Sequence, residues 1–117
     1  MEAIAKIGTK TGLLNIIGEL ENVYKRPAMY IGKKDDVDGI VKFFQGFLGA
    51  CDALGFGYSR DISRQVIVEN GWEPGAEGVW MQMRNKGMSE EDIVKEFVRL
   101  EIKKWQKLIG ILLASET

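Results

Sequence analysis

Ser89-Glu90-Glu91-Asp92-Ile93-Val94-Lys95-Glu96-Phe97-Val98 opens the segment whose reading decides the fold, and the pattern runs on to Leu112. Ile93, Val94, Phe97, Val98, Ile102, Trp105, Leu108, Ile109 and Leu112 recur at intervals of three and four, the period of a helix face. Ser89 is placed to cap the first turn, and Glu90, Glu91 and Asp92 bring carboxylates to the positive end of the helix dipole. Lys103, Lys104 and Lys107 lie in the C-terminal half, which the dipole also favours. A helix with so broad an apolar face needs partners.

The preceding chain supplies them. Leu13, Ile17, Leu20 and Tyr24 share a face, with Ile16 and Val23 beside it, which predicts a helix from about Leu13 to Lys25 with Thr11 as N-cap. Pro27 ends it, because the residue before a proline is pushed out of the helical region. Met29 to Lys34 reads as a turn. Asp35 or Asp36 caps the next helix, Val37 to Leu54, whose stripe is Val37, Ile40, Val41, Phe44, Phe47, Leu48 and Cys51. Gly55-Phe56-Gly57 stops it. Asp61 to Glu69 reads as a helix capped by Asp61 and closed by Asn70-Gly71; a short strand near residues 65–68 is the competing reading, because Val66-Ile67-Val68 has strand propensity. Val79 to Arg84 is a further short helix, closed by Asn85-Lys86-Gly87. The expectation is an all-α single domain over residues 1–117, with about five helices. Residues 1–12 are the loosely ordered part, because Gly8-Thr9-Lys10-Thr11-Gly12 breaks any helix begun there.

Composition narrows the function classes. Hydrophobic residues make up 45% and charged residues 28%, which suits a globular domain rather than a disordered chain. Sixteen Lys and Arg against 17 Asp and Glu give a net charge of −1, so nucleic acid is not the expected partner. No apolar run reaches membrane-spanning length and the first dozen residues lack a signal-peptide pattern, so a cytoplasmic location is expected. Histidine is absent and Cys51 is the one cysteine, which removes Ser-His-Asp and Cys-His machinery and any cysteine-spaced metal site. Glu90, Glu91 and Asp92 are explained by their helix start, and Asp35, Asp36 and Asp38 lack the glycine and distal Glu of a calcium hand. The glycines at 71, 75 and 78 are followed by no Lys-Ser/Thr, so they make no phosphate loop. We therefore expect no catalytic, cofactor or metal residues.

One stretch carries a motif: Glu21-Asn22-Val23-Tyr24-Lys25-Arg26-Pro27-Ala28-Met29-Tyr30-Ile31-Gly32. It resembles the N-terminal motif of the gyrase B and topoisomerase IV ATPases, where the following helix supplies a catalytic Glu and a magnesium-binding Asn. Here that helix reads Val41-Lys42-Phe43-Phe44-Gln45-Gly46-Phe47-Leu48-Gly49-Ala50, with neither, so ATPase function is not carried over. A longer resemblance, over residues 21–105, is to a family of small bacterial proteins, some of them immunity proteins of polymorphic or contact-dependent toxin systems. It rests on Arg26-Pro27-Ala28-Met29-Tyr30-Ile31-Gly32, Phe43-Phe44-Gln45-Gly46-Phe47, Trp80-Met81-Gln82-Met83 and Ser89 through Leu100. The glycine-rich Trp72–Gly78 loop departs from the pattern.

In physical terms Arg26, Pro27, Met29, Tyr30 and Gly32 are a structural motif. Pro27 stops a helix, Gly32 turns the chain, Met29 and Tyr30 plug the gap between two helices, and Arg26 serves exposed carbonyls or a carboxylate. The resemblance implies a non-enzymatic protein-binding module, an immunity protein that neutralises a toxin. Asp35, Asp36, Trp72, Glu73 and Glu77 are the candidate partner contacts. Two alternatives stay open. One is a phage-encoded inhibitor of a host defence complex. The other is a nucleic-acid accessory protein, which would need Lys25, Arg26, Lys33, Lys34, Arg84 and Lys86 to form one basic patch.

Overall fold

A 26-residue helix is the spine of the molecule. At a rise of about 1.5 Å per residue it is about 39 Å long, close to the 43 Å long axis of the whole. The computed structural model describes residues 10–75 and 78–115. These form six helices and no strand: α1 (Lys10–Lys25), α2 (Ala28–Ile31), α3 (Val37–Ala53), α4 (Arg60–Glu69), α5 (Val79–Asn85) and the spine α6 (Glu90–Ser115). The fold class is all-α. Helices α1, α3, α4 and α5 each lie against α6, and α2 packs on α3.

The stripe of α6 explains this arrangement. Ile93, Val94, Val98, Leu100, Trp105 and Leu108 are buried, and they meet Leu13, Ile17, Leu20 and Val23 of α1, Val37, Ile40, Phe44 and Cys51 of α3, and Ile62 and Val66 of α4 in one core. Two fixed points set α1 antiparallel to α6. Lys95 Nζ donates to Tyr24 O at 2.6 Å, joining the C-terminal end of α1 to the early part of α6. At the other end the Phe56 ring lies against Gly12, where a Cβ would come within 2.9 Å of it, and Tyr58 two residues on meets Trp105 edge to face at 5.3 Å.

Helices α3, α4 and α5 end in the same way. Phe56 N–H reaches back to Cys51 O, Trp72 N–H to Ile67 O and Met88 N–H to Met83 O, while Gly55, Gly71 and Gly87 close the shorter ring. These are Schellman motifs, in which a left-handed glycine satisfies orphan carbonyls and an apolar residue follows it. Phe56, Trp72 and Met88 all pack on the core. Each glycine thus ends one helix and returns a side chain to the interior.

Several sequence expectations are corrected. The competing strand near residues 65–68 is absent: the segment lies in α4, where Ile62 and Val66 are buried four residues apart and Val68 is 58% exposed. Burial against α6 at helical spacing outweighs the strand propensity of the Val-Ile-Val run. Ser59, rather than Asp61, caps α4, its Oγ accepting from Ile62 N–H at 3.2 Å. Thr11 and Gly12 lie inside α1 instead of ahead of it, so residues 10–12 are helical; residues 1–9, for which loose order was the expectation, lie outside the described residues. The sixth helix arises because residues 28–31 coil into a single turn, α2, where a plain turn was expected.

Asp36 caps α3, its Oδ1 accepting from Gly39 N–H at 2.9 Å. A Cβ at Gly39 would sit 2.4 Å from Asp36 Oδ2. Gly39→Ala is therefore expected to push the cap apart and cost about 1 kcal/mol, the typical worth of an N-cap. A thermal melt checks this, and an unchanged or raised melting temperature contradicts it.

Candidate functional site

The Arg26–Gly32 motif is the corner between α1 and α3. Pro27 is buried at the start of α2. Tyr30 meets Phe43 edge to face at 5.8 Å, and its hydroxyl donates to Glu19 Oε2 at 2.7 Å. That hydrogen bond, more than burial, raises the Tyr30 pKa. Gly32 holds φ at 88° while its N–H closes the turn on Ala28 O. A residue with a side chain is strained at that angle, so the turn needs glycine there.

Two expected roles within the motif are corrected. Met29 does not plug the interhelical gap: it is 72% exposed. A single helical turn can send only one side inward, and here Pro27, Tyr30 and Ile31 face in while Ala28 and Met29 face out. Nor does Arg26 serve the end of α1. Lys95, arriving from α6, takes the Tyr24 carbonyl and lies 4.4 Å over the Tyr24 ring. The side chains of Arg26 and Lys25 make no hydrogen bond or ion pair among the described residues. Together with Asn22, Met29 and Tyr30 they border a hollow of about 400 Å³.

The proposed contact residues fall into two groups. Asp35 and Asp36 border a second shallow hollow on the motif corner, with Ile31, Gly32 and Lys33. Asp36 is committed to its cap, whereas Asp35 is exposed. Trp72 and Glu73 lie elsewhere, on the loop after α4. Trp72 is half-buried, with Lys86 Nζ 5.4 Å over its ring and a buried Nε1 that has no acceptor among the described residues. The Gln82 side-chain amide grips the Glu73 backbone at both ends, accepting from its N–H at 2.9 Å and donating to its carbonyl at 2.7 Å. This clamp shapes a hollow of about 550 Å³ bordered by Gly71, Glu73, Pro74, Gly75, Gln82, Asn85 and Lys86. Glu77 lies outside the described residues.

The six cations that a nucleic-acid surface would need do not form an unbroken patch. Arg84 is held by both oxygens of Glu90, at 2.7 and 3.1 Å, and feels Asp38 nearby. Lys34 lies 3.6 Å from Glu91, and Lys86 covers Trp72. Lys25, Arg26 and Lys33 have no such partners among the described residues.

One polar cluster escaped the sequence reading. Glu101 is only 4% exposed, in the middle of the α6 stripe. Its Oε2 accepts from Tyr58 Oη at 2.5 Å and from Trp105 Nε1 at 3.2 Å, and Lys104 Nζ lies 3.6 Å from Oε1. The signal was available: Val94, Val98, Glu101, Trp105 and Leu108 keep helical spacing, so the carboxylate stands at a core position. Burial, then the Glu101 charge, then the hydrogen bond to it push the Tyr58 pKa far up. Burial, then Glu101, also raises the Cys51 thiol. These effects favour the proton-bearing forms, so the cluster works as a fastener for the α3–α4 loop.

Cys51 is 8% exposed, and a thiol with a raised pKa is a poor nucleophile. Its reaction with a disulfide reagent at pH 8 is expected to be at least about tenfold slower in the folded chain than in urea. Equal rates contradict the burial.

Among the described residues, no group of three or more His, Cys, Asp or Glu is placed to hold a metal ion, and no helix is long and apolar enough to cross a membrane. Comparison with protein-family models, with curated proteins and with solved structures finds no match to the chain.

Proposed function

We propose that the chain is a non-enzymatic protein-binding module that acts in the cytoplasm and docks through the Arg26–Asp36 corner. The observation that carries this is Met29. A large apolar side chain is 72% exposed on a corner fixed by a buried proline, an aromatic contact and a hydrogen bond. Lys25 and Arg26, unpaired among the described residues, border the same hollow as Met29, and exposed Asp35 borders the second hollow of the corner. An apolar centre with a polar rim on a rigid support is the anatomy of a protein interface. The corner is built before any partner arrives, which lowers the ordering cost of binding.

The particular function we propose is that of an immunity protein, which neutralises a cognate bacterial toxin by direct binding. The motif resemblance supports it, and so does a charged, preformed surface suited to electrostatic steering. The test is coexpression with the toxin-type domain encoded beside it. The expected result is suppressed toxicity and co-elution of the two chains, with Met29→Glu restoring toxicity while the fold, judged by circular dichroism, is unchanged. A neighbouring toxin domain that neither binds nor is suppressed overturns the immunity reading, as does a gene cluster of phage defence inhibitors.

A further inference from the structure

Arg26 is one of several cations that have no side-chain partner among the described residues. A basic residue just past a helix C-terminus ordinarily serves the exposed carbonyls there. In this chain that work is done by others: Lys95 takes the Tyr24 carbonyl at 2.6 Å, and the Arg26 main-chain N–H takes the Asn22 carbonyl at 2.9 Å. The guanidinium of Arg26 and the ammonium of Lys25 have no carboxylate or carbonyl partner among the described residues. Both border the hollow of about 400 Å³ that Asn22, Met29 and Tyr30 complete. Among the described residues no carboxylate lines that hollow. The carboxylate that touches a lining residue, Glu19, already accepts the Tyr30 hydroxyl at 2.7 Å. What remains is a recess with a planar guanidinium, a second cation, a side-chain amide and an exposed thioether.

We propose that this recess receives an acidic segment of the protein partner, with a carboxylate held by Arg26 and Lys25 and a neighbouring apolar side chain laid on Met29. The inference rests on the protein-binding reading above and adds the chemistry of the partner. A guanidinium fork matches a carboxylate with two parallel hydrogen bonds, and Asn22 offers a further donor. The polarisable, flexible Met side chain adapts to an apolar neighbour. Nucleic acid fits less well. A phosphate backbone needs a continuous run of free cations, whereas Lys34 and Arg84 are engaged by Glu91 and Glu90 and Asp35 and Asp36 stand at the next recess.

The test titrates the full isotope-labelled chain with a Glu-Leu-Glu-Glu-Leu-Glu peptide, followed by backbone amide shifts and fluorescence anisotropy. The same peptide with Gln for Glu and a short DNA duplex are the comparison probes. The acidic peptide is expected to bind at least about tenfold more tightly than the Gln peptide, with shifts confined to residues around 22–33. The Lys25→Glu, Arg26→Glu double variant is expected to lose about tenfold or more, and Met29→Ala several-fold. Lys25→Gln with Arg26→Gln serves as a milder second variant, and a thermal melt of each confirms the fold. Equal binding of the two peptides, binding indifferent to charge reversal, or preferential binding of the duplex through these residues each overturns the proposal. If the acidic peptide fails while the neighbouring toxin domain binds the double variant normally, this inference falls and the protein-binding reading stands. If neither binds, both fall.

Discussion

Trp105→Ala is expected to be the most damaging single substitution outside the backbone turns, lowering the free energy of unfolding by about 4 kcal/mol. Trp105 is fully buried, meets Tyr58 edge to face and donates its Nε1 hydrogen to Glu101. Truncation removes the burial of the largest side chain in the core, leaves a cavity where the spine meets the α3–α4 loop, and takes one donor from a buried carboxylate. A domain of this size is expected to have a total stability of only about 6–15 kcal/mol, so the loss is a large share of it. Urea unfolding of the two chains measures the difference. A change below about 1 kcal/mol would mean that the loop does not depend on this residue.

The second large effect concerns Glu101 and Tyr58 as a pair. Removing the carboxylate by Glu101→Leu strands the Tyr58 hydroxyl and the Trp105 N–H, at about 1–3 kcal/mol for each unsatisfied buried group. Relief from burying a charge works the other way, since among the described residues Lys104 is the one cation in contact, at 3.6 Å. The stranded donors outweigh that relief, and a net loss of about 2 kcal/mol is expected. Tyr58→Phe is expected to cost about the same, because it takes the shortest hydrogen bond from a carboxylate that stays buried. The double variant should cost well under the sum, with a coupling above about 1 kcal/mol. Simple additivity would contradict the pairing.

The same pair sets an alkaline limit. The folded-state pKa of Tyr58 is raised by burial, by the Glu101 charge and by the hydrogen bond, so the folded chain keeps a proton that the unfolded chain releases near pH 10. Stability from this source is complete below about pH 10 and falls as pH rises further, by up to about 1.4 kcal/mol per pH unit. Tyr58→Phe should remove that share of the slope. An unchanged slope would place the alkaline loss elsewhere, with Cys51 the next group whose pKa is raised.

Much of the fold is legible in the sequence because it is written in local terms. The apolar period of α6, the carboxylates at its start, and Gly55, Gly71 and Gly87 as helix stops all act within one or two turns. What could not be read depends on direction or distance. Whether Met29 faces in or out depends on how a single turn is rotated against α3, and four residues carry too little pattern to say. That Lys95 caps α1 is a contact across 71 residues, and it changes the meaning of Arg26. Glu101 does not stand out in the sequence because carboxylates seldom occupy core positions unless they are paired, and its partner Tyr58 lies 43 residues away.

The central claim is that the Arg26–Asp36 corner is a protein-docking face centred on Met29. Selecting a random peptide library on the immobilised full chain tests it without presuming a partner. The account predicts enriched peptides that combine acidic and apolar residues, shift the amides of the corner, and lose binding to Met29→Glu and to the Lys25→Glu, Arg26→Glu variant. Enriched peptides that bind all of these variants as well as the native chain, or that map to the Trp72 loop instead, would contradict it.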